Sequence, residues 1–235
     1  MAEITTAFAV PIVVEHLEDY ASLNEELKAL FVQCADQGGR YANPDPFTHR
    51  NAQLFESRFD LFDWDHPAVA RLSRFCLGTL YHSIGELCGY DLATLQRLHV
   101  ALESWFHVTR GGGYFGVHNH PMHSWSGVYC VCQEGDEDNP DSGRLTFISP
   151  YATNTMFVDM ASHRFKPPFH TGVLPIRLRP GQLILFPSWL LHEVTPFEPA
   201  GEGLRITVAF NARFKLEGVN RPPPPPPPPA AQPRP

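Results

Sequence analysis

The sequence contains no apolar run approaching the roughly 18 residues of a membrane-crossing helix. It also has no surplus of positive charge: acids outnumber bases 25 to 18, for a net charge of -7. That balance removes the electrostatic reason to expect a nucleic acid or a membrane surface as partner. Residues 1–10 lack a basic stretch and carry Glu3, so they do not read as a secretory signal. Cysteines are few, odd in number at five, and scattered. They argue against a disulfide framework and for reduced thiols in a cytoplasmic setting. No internal repeat is visible. Gly111-Gly112-Gly113 lacks the following Lys-Ser/Thr of a phosphate-binding loop and reads as a flexible turn.

What is present is enough apolar material, 43% of 235 residues, for one sizeable core. The chain divides by pattern into three parts: a mixed region over 1–100, a strand-rich region over 101–217 that forms one domain with it, and a proline-rich tail over 218–235. In the tail, eight consecutive prolines run from Pro222 to Pro229. Proline fixes φ and donates no backbone hydrogen bond, so this run is expected to be an extended polyproline II rod. Two readings stand side by side: a ligand for an SH3-, WW- or profilin-like aromatic groove, and a tail with no partner.

In the first region, 7–14 reads as an edge strand interrupted by Pro11. Asn24 is the expected cap of a helix over 25–34 that Gly38-Gly39 stops. Asp65, with Pro67 in the first turn, is expected to cap a longer helix reaching about Cys88, whose apolar face is Val69, Leu72, Phe75, Cys76, Leu80, Ile84 and Leu87. Beyond residue 98 the pattern changes to short strands at 98–109, 114–120, 126–132, 144–149, 174–178, 182–186, 191–197 and 204–210. Evenly spaced strands with Gly/Pro punctuation argue for a sandwich or a barrel. Cys130-x-Cys132 reads as simple packing, and the acidic stretch 134–141 as a solvated hairpin loop without calcium-ligand spacing. The stretch 163–170 is a long irregular insert, either a lid or an ordinary loop.

Three places carry chemistry. His118 and His120 are two apart, so on a strand both imidazoles share a face, and two neutral imidazoles make half a site for Fe, Zn, Cu or Ni. His192 stands where an apolar strand ends at Pro187, turns and re-enters. In Arg205-Ile206-Thr207-Val208-Ala209-Phe210-Asn211, alternation puts Arg205 and Thr207 on one face and Ile206, Val208 and Phe210 on the other. An arginine aimed into a β layer needs an anion, since a bare buried charge is costly. A ligand carboxylate, with the Thr207 hydroxyl as second donor, and a protein Asp or Glu both satisfy that need.

The order His-x-His, a distant His, then Arg-x-Thr thirteen residues on resembles the 2-oxoglutarate/Fe(II) oxygenase superfamily, and most closely its bacterial and phage group. Ser104-Trp105, His118-x-His120-Pro121, Trp125-Ser126-Gly127-Val128-Tyr129, Ser142-Gly143-Arg144-Leu145-Thr146-Phe147, Leu185-Phe186-Pro187-Ser188-Trp189, and Arg205-Ile206 with Phe210-Asn211 carry the resemblance, in that order. It spans about residues 5 to 214. The resemblance implies a mainly β (α+β) fold, a double-stranded β-helix (jelly-roll) barrel with supporting N-terminal helices. It implies a dioxygenase using Fe(II), 2-oxoglutarate and O2 to hydroxylate a small-molecule or peptide substrate, releasing succinate and CO2.

One position departs from the superfamily pattern of two histidines and a carboxylate: His120 stands where Asp or Glu is usual. The implied ligands are therefore His118, His120 and His192, with His123 the rival for the second place. The implied co-substrate contacts are Arg205 and Thr207, with Ser126 and Tyr129 as further co-substrate or supporting contacts and Trp125 and Trp189 as walls. Two alternatives remain at this point: a cupin-type three-histidine dioxygenase without 2-oxoglutarate, and a non-catalytic barrel acting through its tail.

Overall fold

A computed structural model describes residues 4–46, 48–151 and 157–219; the polyproline run and the expectations placed on it lie outside the described residues. Two antiparallel sheets face one another. The larger has the order β1-β8-β5-β10-β3-β2, formed by β1 (Val13–His16), β8 (Gln182–Pro187), β5 (Trp125–Gln133), β10 (Arg205–Leu216), β3 (Leu98–Thr109) and β2 (Leu54–Glu56). The smaller has the order β4-β9-β6-β7, from β4 (Phe115–His118), β9 (His192–Val194), β6 (Leu145–Ile148) and β7 (Val173–Ile176). This is the double-stranded β-helix that the family resemblance implies, and one of the two arrangements the strand pattern allows. Helices α1 (Tyr20–Asp36) and α2 (Pro67–Cys88) cover the outer face of the larger sheet, and a short α3 (Leu92–Gln96) leads into β3.

The larger sheet is buried on both faces, which is why β10 reads as an almost continuous apolar segment. Ile206, Val208 and Phe210 face the helices with Tyr129, Val131, Leu183 and Leu185. There they meet Leu23, Leu27 and Phe31 of α1 and Leu72, Cys76 and Leu80 of α2, and Phe31 stacks flat on Phe106 with ring centroids 4.2 Å apart. A smaller core between the sheets holds Cys130, Leu145, Phe147, Ile184 and Phe186. Gly127 is required where it stands: a Cβ there would lie 2.3 Å from the Phe210 ring and 2.9 Å from Leu185.

Strand β5 carries a bulge. Ile206 pairs with Cys132 and Thr207 with Cys130, leaving Val131 as the extra residue. A bulge frees a backbone carbonyl, and α1 satisfies it: Asn24 Nδ2 donates to Val131 O (2.7 Å) and Cys130 O (3.3 Å), while the Tyr129 hydroxyl donates to Asn24 Oδ1 (2.8 Å). Asn24 is thus buried within α1 and docks the helix on the sheet. It is not the cap expected from sequence, and α1 begins earlier, at Tyr20. The cap of α2 is His66, whose ring accepts from Ala68 N, with Pro67 in the first turn as expected. Among the described residues no helix is long and apolar enough to cross a membrane.

Candidate metal centre

The three histidines come from two neighbouring strands and one loop. His118 ends β4 and stands in register opposite His192, which opens β9. His120 lies past the strand end, its N–H donating to Ser188 O (2.9 Å) so that its imidazole turns back toward the pair. The rings sit with centroids 4.3 Å apart for His118 and His192, and 5.1 Å from each of these to His120. One ligand nitrogen from each lies within 4.8 Å of the others, the spacing of three donors around one ion. His118 Nδ1 lies 2.7 Å from Gly116 O and His192 Nδ1 2.9 Å from Leu190 O. Each Nδ1 therefore carries the proton and leaves Nε2 with a free lone pair.

Burial favours the neutral rings. Desolvation first, and then the neighbouring imidazoles, push His120 down to about 2 and His192 down to about 3. Burial also lowers His118, opposed by its bond to Gly116 O. Neutral imidazoles are the form that binds a metal. His123 is not in this cluster: its Nε2 faces Glu103 (3.6 Å) and its Nδ1 faces Pro121 O (3.2 Å).

The histidines open into a cavity of about 340 Å³ between the sheets. Its wall is one face of β10 and β3: Arg205, Thr207, Ala209 and Asn211 on one strand, His107, Trp105 and Glu103 on the other, paired rung by rung. Val128, Leu145, Val194, Phe59 and Phe115 complete it with apolar surface.

Arg205 is 2% exposed. Its Nε donates to Gly143 O (3.0 Å), and no carboxylate pairs with its guanidinium among the described residues. Gly143, at φ +60°, leaves room for the arginine stem, since a Cβ there would lie 2.9 Å from Arg205 Cδ. Burial holds the Arg205 pKa below the ordinary arginine range. A buried fork with free N–H groups is an acceptor site for a planar carboxylate.

The comparison with known sequences turns on this same stretch. Residues 103–211 match a family model described as "Putative 2OG-Fe(II) oxygenase". By sequence, this segment is similar to the 2OG-Fe(II) oxygenases. The match runs from Glu103 to Asn211, so the matched segment holds all three histidines, Arg205 and Thr207. No curated protein matches the chain. Among solved structures, a Pseudomonas putida prolyl-4-hydroxylase aligns over 87% of this chain and 92% of its own, at 15% identity and TM-score 0.52. A Trichoplax adhaerens prolyl hydroxylase, bound to a hypoxia-inducible-factor peptide, aligns over 86% and 82%, at 14% identity and TM-score 0.56. HygX from Streptomyces hygroscopicus, with nickel, 2-oxoglutarate and hygromycin B, aligns over 87% and 83%, at 13% identity and TM-score 0.54. At these identities the likeness is one of fold.

The geometry corrects some sequence-based expectations for this site and narrows others. Tyr129 faces the helices, with its hydroxyl spent on Asn24, and does not reach the cavity. Ser126 takes the supporting of its two expected roles: it bonds Asn211 Oδ1 (2.7 Å) and Ser188 Oγ (2.8 Å) and is not among the residues lining the cavity. Trp125 packs at the margin of the helix-side core and Trp189 is 52% exposed; the aromatic walls are Trp105, Phe59 and Phe115. The insert around residues 167–172 lines a second cavity, with residues 6–10 and 147–151, and not this one.

The sequence alone assigns no site role to Glu56, His107 or Asn211, although Asn211 stands in one of the motifs that carry the resemblance. For His107 and Asn211 the signal was available: each shares alternation parity with a residue already singled out, Trp105 and Thr207. Glu56 sits in a three-residue strand too short to show a period.

Proposed function

We propose that this protein is a non-haem Fe(II)/2-oxoglutarate-dependent dioxygenase that hydroxylates a C–H bond of a small molecule or peptide, releasing succinate and CO2. The observation that carries this reading is one cavity holding three neutral imidazoles together with a buried guanidinium that no protein carboxylate neutralises. The donor set fits the group: three nitrogens within one ion's reach, all from a face that leaves further coordination positions open to the cavity.

His118, His120 and His192 would hold the iron. Arg205 would grip the far carboxylate of 2-oxoglutarate, and the Thr207 hydroxyl beside it is the second donor. Bound Fe(II), with 2-oxoglutarate and O2, supplies the oxidising power for C–H oxidation, the co-substrate leaving as succinate and CO2. The chain's own work is placement and exclusion. The carbonyls of Gly116 and Leu190 fix two imidazole tautomers. Phe115, Phe147 and Phe186 pack against those rings and keep water from their sides. Ser126 and Ser188 steady Asn211 on the cavity wall.

In a cupin-type dioxygenase the same fork would have to serve the primary substrate directly, so dependence on 2-oxoglutarate separates the two readings. The test is an anaerobic titration of Fe(II)-loaded protein with 2-oxoglutarate. A visible metal-to-ligand charge-transfer band that saturates is the expected result. Absence of both the band and any calorimetric 2-oxoglutarate binding refutes the reading.

A further inference from the structure

Three imidazoles bring no charge to a divalent cation. A dication in a largely dry cavity is costly unless negative charge lies nearby. Among the described residues, only one carboxylate side chain is buried, Glu56 at 7% exposure, and it lines the cavity of the histidines. The other acid on that wall, Glu103, is half exposed.

Glu56 is placed there by β2, whose register sets it opposite His107 on β3. Its Oε1 accepts from Asn43 Nδ2 (2.7 Å) and lies 3.8 Å from Arg50 Nη1, a loose pairing; its Oε2 lies 3.2 Å from His107 Nε2. Burial on its own would raise the carboxyl pKa, but His107, Asn43 and Arg50 outweigh it and hold the group below the usual glutamate range. Burial keeps His107 neutral against the pull of Glu56. The pair therefore carries a net negative charge at neutral pH.

His107 Nε2 also lies 2.9 Å from the Trp105 indole nitrogen. The indole N–H can only donate, so this ring nitrogen either accepts from Trp105 or donates to Glu56, and the Glu56 charge rests on Asn43 and Arg50 in either case.

We infer that Glu56 is the charge-compensating carboxylate of the metal centre, a positioning residue that acts across the cavity and not through coordination. This rests on the three histidines holding a metal. The competing role for Glu56 is purely structural, as half of an ion pair with Arg50 that anchors β2.

Electrostatics separates the two by sign. Removing a negative charge weakens binding of a cation and strengthens binding of an anion in the same cavity, whereas structural damage weakens both. The experiment measures Mn(II) binding by calorimetry in wild type, Glu56→Gln and Glu56→Asp, and then 2-oxoglutarate binding to each Mn(II)-saturated protein, with melting temperatures alongside. In Glu56→Gln, which keeps the acceptor for Asn43, Mn(II) affinity is expected to fall about tenfold or more, as for other supporting groups around metal sites. Its 2-oxoglutarate affinity should rise roughly two- to fivefold, the effect of removing one like charge from the far side of the same cavity. Glu56→Asp keeps the charge and should stay near wild type in both. Unchanged Mn(II) affinity in Glu56→Gln, or a parallel loss of both affinities with a lowered melting temperature, overturns the inference. A wild type that binds no Mn(II) or Fe(II) overturns the metal centre itself.

Discussion

Arg205→Met is the most discriminating single perturbation, because the wild-type residue combines near-complete burial with an unneutralised charge. If the guanidinium were half of a structural ion pair, its removal would strand a buried carboxylate at a cost of about 3–5 kcal/mol. No such carboxylate pairs with it among the described residues. The loss is then the single bond to Gly143 O, about 1–3 kcal/mol if that carbonyl is left dry. Against this stands relief from desolvating a cation, which offsets some or all of it. The ligand-free melting temperature is therefore expected to move by only a few degrees.

Co-substrate is different. At a hundred times its Kd, a ligand stabilises the protein that binds it by about 2.7 kcal/mol. In a domain of this size that corresponds to a rise of about 5–10 °C. Wild type loaded with Mn(II) should show that rise with 2-oxoglutarate, and Arg205→Met should show almost none at the same concentration. Arg205→Lys, which keeps charge but loses the fork, should need roughly ten- to a hundredfold more 2-oxoglutarate for the same shift, the equivalent of about 1.5–3 kcal/mol. Scanning fluorimetry across a co-substrate titration reads all three proteins. Superimposable titrations of wild type and Arg205→Met refute the clamp, and a collapse of the ligand-free variant refutes the charge argument.

Three further outcomes are expected. His192→Ala and His120→Ala should lose stoichiometric Fe(II) in anaerobic dialysis followed by metal analysis, while His123→Ala retains it; the reverse for His120 and His123 reassigns the second ligand. Phe31→Ala removes a fully buried ring stacked on Phe106 and should cost about 3–5 kcal/mol, seen by calorimetry as a melting temperature lower by roughly 6–20 °C. Gly127→Ala forces a methyl onto Phe210 and Leu185 and should cost about 1–3 kcal/mol in urea denaturation; a neutral result would mean the Phe210 ring has room to turn.

Much of the barrel is legible because a strand buried on both faces still alternates in kind. On β10 the polar or small residues Arg205, Thr207, Ala209 and Asn211 fall on the cavity side, and Ile206, Val208 and Phe210 on the helix side. The extended strand at 98–109 matches β3 to the residue. What escaped has physical causes. Which face of β5 meets the cavity depends on pairing with β10 across a bulge, and no local pattern reports that pairing, so Tyr129 was placed on the wrong side. Asn24 has the chemistry of a helix cap, but a carbonyl freed about a hundred residues away at Val131 claimed its side chain. Glu56 depends entirely on its neighbour strand: only the pairing of β2 with β3 brings an isolated acid beside His107.

The carbonyls behind His118 and His192 also bear on how the proposed site would acquire an ion. Each ring is already aimed by a bond inside its own strand segment, so little conformational freedom remains to be lost when an ion arrives. A site of that kind does not use its ion as scaffolding, unlike small domains whose chain orders only around metal. Chelation should then empty it reversibly, leaving a folded protein that reloads from whatever is at hand. With nitrogen donors alone and no thiolate or bound carboxylate to discriminate, the tighter-binding Ni(II), Cu(II) and Zn(II) compete well against Fe(II). Occupancy by iron becomes a matter of what the surroundings supply.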